Sequence, residues 1–280
     1  MKHSAIKKLS LIATLTFALS SFAYSADIVR TLSNNADENN EAENFFEIGV
    51  GGGAGVGSSL YDEDAKGAGF NGHVRGSYNW NGFFIDLFGE TSEAAVVGYN
   101  AYNSDTWSFD VVLGHTLNGI TQDNDEDGRF EGLNKREGSL FFGGRATSYF
   151  GKNIIQLSLK HDVSGRSQAT IVSALVGRNW QHRNWNFHGF VRLDLADAKL
   201  ADYFLGVTEE EASRTNFEAF NGEASVNLSS SIGVTYPITE HWVYRAGISA
   251  GSNFGKNDSP LFAKRRSFYA GIGTSISYVF

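Results

Sequence analysis

The sequence predicts an all-β protein, a transmembrane antiparallel β-barrel of twelve strands, with ten or fourteen strands as the alternatives. Three observations carry this expectation. Successive segments of roughly ten residues alternate apolar with small or polar residues, as strands do when one face meets an apolar medium. The connections between segments alternate short and long, matching bacterial barrels with tight periplasmic turns and longer outer loops. All five tryptophans, Trp80, Trp107, Trp180, Trp185 and Trp242, stand beside the short connections, where an interfacial aromatic girdle belongs.

Taken in order, residues 1–25 begin with Lys2, Lys7 and Lys8, continue through an apolar centre at 9–19 and end on the small residues Ala23 and Ser25. This is the layout of a cleaved secretory signal peptide, and it implies export toward the cell outer membrane. The apolar centre falls short of the ~20 residues a spanning helix needs. Residues 26–43 are acidic and polar, and read as a disordered periplasmic lead-in. The barrel then occupies 44–280.

Strand 1 is expected at 45–56, with Phe46, Ile48, Val50, Ala54 and Val56 on one face. Strand 2, at 68–80, sets Phe70, Val74, Tyr78 and Trp80 against Asn71, His73, Arg75, Ser77 and Asn79. Asn81-Gly82 supplies a tight hairpin turn. Strands 3 (83–90) and 4 (94–102) are short, and merging them would give eleven, which parity disfavours because bacterial barrels have even counts. Strand 5 (106–117) is followed by a long acidic loop, 118–138. Strands 6 (139–150) and 7 (153–163) pair through Gly151-Lys152, and strands 8 (168–180) and 9 (184–195) through 181–183. The outward face of strand 8 is ambiguous. A second long loop, 196–221, precedes strands 10 (222–236) and 11 (241–252), and loop 253–266 leads to strand 12. That last strand puts Phe268, Ile272, Ile276, Tyr278 and Phe280 on one parity and Gly271, Gly273, Ser275 and Ser277 on the other.

Composition removes several kinds of chemistry. With no cysteine there is no disulfide framework, thiolate metal site or cysteine nucleophile. A formal charge of −8 makes the chain a poor nucleic-acid binder. A mean hydropathy of −0.24 looks soluble, which is expected when lumen and loop residues dilute a lipid-facing belt. The two prolines, Pro237 and Pro260, fall in turn-like sequence, as paired strands require.

Three groups of residues invite a chemical reading. Asp123-Asn-Asp-Glu-Asp-Gly128 has calcium-loop spacing, but its twelfth position is Asn134 rather than a bidentate glutamate, so a solvated acidic loop is the better reading and no metal residues or cofactor are assigned. The inward parity carries Arg75, Arg145, Arg192 and Arg245 with Glu47, Asp86, Asp110 and Asp194. Buried charges must be paired, so these form either a structural network or the constriction of a narrow pore. His115 and His161 face lipid near the outer rim. A membrane-facing hydrolase would need a serine beside them, and the intervening strand offers Leu140 and Phe142. No catalytic residue is assigned, and the chain is not expected to be an enzyme.

The segment Asp202-Tyr-Phe-Leu-Gly-Val-Thr-Glu-Glu-Glu-Ala-Ser213, together with Asp258-Ser-Pro260, the glycines from Gly128 to Gly144 and the closing Tyr278-Val-Phe280, resembles the MipA/OmpV family of Gram-negative outer-membrane proteins. The glycine-rich opening from Gly49 to Tyr61 departs from the family in lacking a proline before its aromatic residue. The resemblance implies a scaffold that links the outer membrane to a lytic transglycosylase and a murein synthase. Separately, the terminal Phe280 with Tyr278 two residues before it resembles the C-terminal signal of Gram-negative outer-membrane barrels, which implies that these two residues are the membrane-assembly signal read by the barrel-assembly machinery. A narrow channel for small solutes remains the alternative.

Overall fold

In the computed structural model, residues 44–58, 66–87, 95–115, 128–254, 258–263 and 265–280 are described. Residues 1–43, which contain the expected signal peptide and lead-in, and 123–127 of the candidate calcium loop lie outside them. The strands are β1 (Phe45–Val56), β2 (Lys66–Trp80), β3 (Phe83–Leu87), β4 (Ala95–Asn103), β5 (Trp107–His115), β6 (Leu140–Phe150), β7 (Asn153–Asp162), β8 (Thr170–His182), β9 (Trp185–Ala196), β10 (Ser225–Pro237), β11 (Trp242–Phe254) and β12 (Phe268–Val279). Every strand pairs antiparallel with its sequence neighbours, and β1 closes on β12 to complete a twelve-stranded barrel. The closing seam runs from Glu47 opposite Val279 to Val56 opposite Ala270, so no strand edge is left open at the chain ends.

The alternation in sequence becomes the two faces of the wall. Outward residues include Val50, Phe70, Val176, Ile232 and Ile272, between 56% and 85% exposed. An apolar belt of this kind could not face water around a whole molecule without aggregation, and it suits lipid. In β8 the outward parity is Val172, Val176 and Trp180, while Ser173 and Leu175 are buried inside, which resolves the ambiguous face. At the short-turn end the aromatic residues touch one another. Phe83 packs on Trp80 and Tyr99, Trp185 on Tyr236, and Trp242 on Tyr278. All five tryptophans lie within this band.

Inside, large rings lie across glycines of the adjacent strand. A Cβ placed on Gly98 would stand 2.0 Å from the Phe84 ring, and one on Gly251 would stand 2.4 Å from the Tyr269 ring. Glycine there lets an aromatic side chain fold flat against the wall, and the lumen fills instead of staying open. Two buried apolar groups complete the filling on one side, Phe84 with Val96 and Val112, and Ile154 with Leu175, flanked by Tyr149 and Phe190.

The connection expected to be a plain loop at 196–221 contains two helices, α1 (Ala198–Leu205) and α2 (Glu209–Arg214). The reason is local. Thr208 and Glu211 form a reciprocal capping box, each side chain bonding the other's backbone N–H, which satisfies donors a helix start leaves bare.

Candidate functional site

The eight inward charges read from the sequence come together in three clusters. In the first cluster Glu47 is fully buried. Its Oε2 accepts from Arg245 Nη2 at 2.8 Å, and its Oε1 lies 3.7 Å from Arg75 Nε. Arg245 also donates to Ser277 Oγ at 3.2 Å, and Ser277 Oγ is 2.9 Å from His73 Nε2. In the second cluster Arg145 Nε donates to Asp110 at 2.9 Å and its guanidinium lies 4.0 Å from Asp86. Asn100 and Ser77 donate to those carboxylates, and the Arg145 guanidinium stands 5.0 Å over the Phe84 ring. In the third, Arg192 Nε donates to Asp194 at 2.8 Å, with Ser173 and Asn227 donating to the same carboxylate. Asp110 and Asp194 thus each accept several hydrogen bonds, the condition under which burying charge becomes tolerable, whereas Glu47 Oε1 accepts none among the described residues and is balanced by the nearby Arg75 charge.

Between the second and third clusters lies a void of about 10 Å³ lined by Val96, Val112, Arg145, Gln156, Ser158, Lys160 and Arg192, room for roughly one water. Lys160 and Gln156 are nearly fully buried there. Neither stands among the charges picked out from the sequence, although both share the inward parity of Ser158 and Asp162, and that signal would have identified them.

At the long-loop end a second organised region appears. Phe130 and Leu133 from the β5–β6 connection, Val207 from the β9–β10 connection and Leu261 from the β11–β12 connection form a buried cluster, with Ala212, Phe217 and Phe220 packed against it. Glu211 is fully buried beneath it. Its carboxylate accepts both terminal nitrogens of Arg136, at 2.7 and 3.0 Å, and the backbone N–H groups of Asn134 and Thr208 at 2.8 and 3.0 Å. Burial alone would raise the Glu211 pKa, but the bonds from Arg136, Thr208 and Asn134 outweigh it and hold the value at about 2. Arg136 also donates to Gly206 O, Ser259 Oγ donates to Leu205 O, and Arg214 donates to Gly132 O and Asn134 Oδ1. The residues of the Asp202–Ser213 segment and of Asp258-Ser-Pro260, far apart in sequence, therefore meet in one cap.

The position of this cap follows from the strand order. In a closed ring of twelve, the β5–β6 and β11–β12 connections spring from points six strands apart. Side chains from both meet only if the loops cross the mouth. Asn134, the twelfth position of the candidate calcium loop, is held in this cap by Glu211 and Arg214. Among the described residues no cluster of acids or histidines has the arrangement of a metal site.

His161 does have a hydroxyl beside it on the lipid-facing rim, with its Nδ1 3.0 Å from Thr170 Oγ1. At the opposite end Tyr278 packs on His241, Trp242 and Phe280. Phe280 is 67% exposed and its N–H donates to Phe46 O at 2.9 Å.

No curated protein matches the chain in sequence. Among solved structures, OmpT, an outer membrane protein of Vibrio cholerae, is 11% identical with a TM-score of 0.37, the match covering 79% of this chain and 66% of that one. Its loop L8 deletion mutant is also 11% identical, with a TM-score of 0.36 and coverage of 78% and 64%, so the chain spans about two thirds of the length of both. The NanC porin is 8% identical with a TM-score of 0.45, covering 82% of this chain and 98% of its own. The strand count and register of the present barrel rest on its own pairing. The family model described as MltA-interacting protein MipA matches residues 50–280, nearly the whole barrel, and the chain belongs to that family of outer-membrane β-barrels.

Proposed function

We propose that this protein is a scaffold that holds peptidoglycan-remodelling enzymes, a lytic transglycosylase and a murein synthase, at the periplasmic face of the outer membrane. One observation carries the choice over a narrow solute channel. Mid-lumen side chains such as Glu47, Arg75, Gln156, Lys160 and His188 are almost fully buried, where a water-filled pore would leave them wet. A permeating solute would have to displace ion pairs whose rupture costs several kcal/mol. The family description, naming interaction with MltA, supports the partner class. The periplasmic turns are short, whereas stable interfaces bury ~1,600 Å², so the acidic 26–43 segment supplies the remaining contact in this reading.

The test pairs periplasmic crosslinking with planar-bilayer conductance on the same preparation. The expected result is capture of a lytic transglycosylase with no discrete conductance. Single-channel steps that shift in Arg75→Ala or Arg192→Ala, with no murein enzyme captured, would overturn the scaffold in favour of the channel.

The reading includes a role for the last strand in assembly, with Tyr278 and Phe280 presented outward to the assembly machinery. Phe280→Asp is expected to cut the folded outer-membrane yield severalfold, read by heat-modifiable migration in membrane fractions. Wild-type levels of that variant would remove the role.

A further inference from the structure

The β8–β9 hairpin reaches beyond the β6–β7 turn beside it. Asn153, the first residue of β7, pairs with Arg178, and β8 then continues to His182, which pairs with Trp185. Arg178, Trp180 and His182 are exposed and share the outward parity of β8. Successive outward residues are separated by roughly 7 Å along a strand, so Arg178 stands on the hydrocarbon side of Trp180, whose indole marks the interfacial level. Lys152 is beside it, its carbonyl accepting from Asn179 N at 3.0 Å, and Arg183 occupies the hairpin turn. Both are exposed.

The charge balance here differs from that of the lumen and the cap. Arg75, Arg136, Arg145, Arg192 and Arg245 all pair with carboxylates. Among the described residues Lys152, Arg178 and Arg183 have no carboxylate partner. The acids of the same rim, Asp105 and Glu240, sit on other hairpins, Glu240 on the far side of β9. A cation on the lipid face is costly unless it reaches an anion at the interface. At this level of a bilayer that anion is a headgroup phosphate. A cell-wall glycopeptide confined to the aqueous periplasm could meet Arg183 but not Arg178.

We propose that Arg178 and Lys152, with Arg183 below them, form a binding site for the headgroup phosphate of an anionic phospholipid in the periplasmic leaflet. The guanidinium holds the phosphate oxygens, the Lys152 ammonium adds a second charge, and Trp180 lies against the glycerol region. The lipid is retained on one side of the barrel, beside the hairpin that reaches past the β6–β7 turn.

The experiment is native mass spectrometry of the full barrel released from nanodiscs of equimolar phosphatidylglycerol and phosphatidylcholine. Preferential retention of one phosphatidylglycerol is expected, falling roughly fivefold for each cation removed in Arg178→Gln and Lys152→Gln and recovering in Arg178→Lys. Arg265→Gln, on the opposite rim, serves as the control and should change nothing. Heat-modifiable migration confirms that each variant is folded. Equal retention of both lipids by the wild type would overturn the proposal. So would a preference that survives the Arg178→Gln, Lys152→Gln double substitution, or displacement of phosphatidylglycerol by soluble muropeptides, which would point to the cell wall instead.

Discussion

Glu47→Ala is expected to destabilise the barrel by about 3–5 kcal/mol, the range found when one member of a buried ion pair is removed. The carboxylate is fully buried and lies between two guanidinium groups, with Arg245 at 2.8 Å and Arg75 at 3.7 Å. Removing it leaves two positive charges facing each other inside a narrow lumen. The neighbouring wall cannot relax to admit water easily, because Gly49 is covered by the His73 ring and Ser277. Urea unfolding in lipid vesicles, followed by tryptophan fluorescence, measures the change. Arg75→Ala should cost less, since Glu47 keeps its closer partner, and a double substitution of Glu47 and Arg245 to apolar residues should recover much of the loss. If Glu47→Ala proves neutral, this cluster has no part in holding the barrel together.

The second large effect is expected in the cap. Glu211→Ala removes the acceptor for Arg136, Asn134 and Thr208 together and dismantles a capping box, at a local cost on the order of 3–5 kcal/mol. The barrel should stay folded while the cap loses protection. Hydrogen exchange of peptides spanning 128–139 and 198–214 should rise severalfold, with strand peptides unchanged. The pH dependence has a definite sign. Glu211 is held at about 2 against an ordinary 4.5, so its contribution is complete above pH 4.5, declines as the pH falls below that value, and is gone below about 2. Cap protection in the wild type should therefore persist at pH 5 and weaken progressively toward pH 2. In Glu211→Gln it should be weak throughout and insensitive over that window. Protection in the wild type that is flat from pH 5 to pH 2 would show that the carboxylate is not what holds the cap.

How far the molecule was readable depends on whether the relevant physics is local. A strand in lipid declares itself through its own alternation, so β2 and β12 were placed to within two residues, and the even strand count followed from turn lengths. β3 was expected at 83–90; Phe83–Leu87 form the strand, and 88–90 lie outside the described residues. The inward charges were visible as a set, yet their pairing was not, since Arg145 reaches Asp110 across a ladder and Arg245 reaches Glu47 through the closing seam. The cap was hidden for a stronger reason. Its core joins Phe130, Val207 and Leu261 from three connections, none apolar enough alone to suggest burial. Thr208 and Glu211 did carry a readable signal, the threonine-to-glutamate spacing of a capping box, which predicts α2 at the place where a loop was expected.

The crossing of the mouth also fixes an order of events. Hairpins such as β6–β7 can form from neighbouring residues, whereas the contact between Phe130 and Leu261 requires ends of the chain that are separated by more than a hundred residues to be already in place, and long-range contacts come late. The cap can assemble only once β5 through β12 are in place to carry the three connections to one mouth. Its formation is thus expected late in maturation, and a protease that cuts the 128–139 connection in open intermediates but not in the finished molecule would time assembly of the cap in living cells.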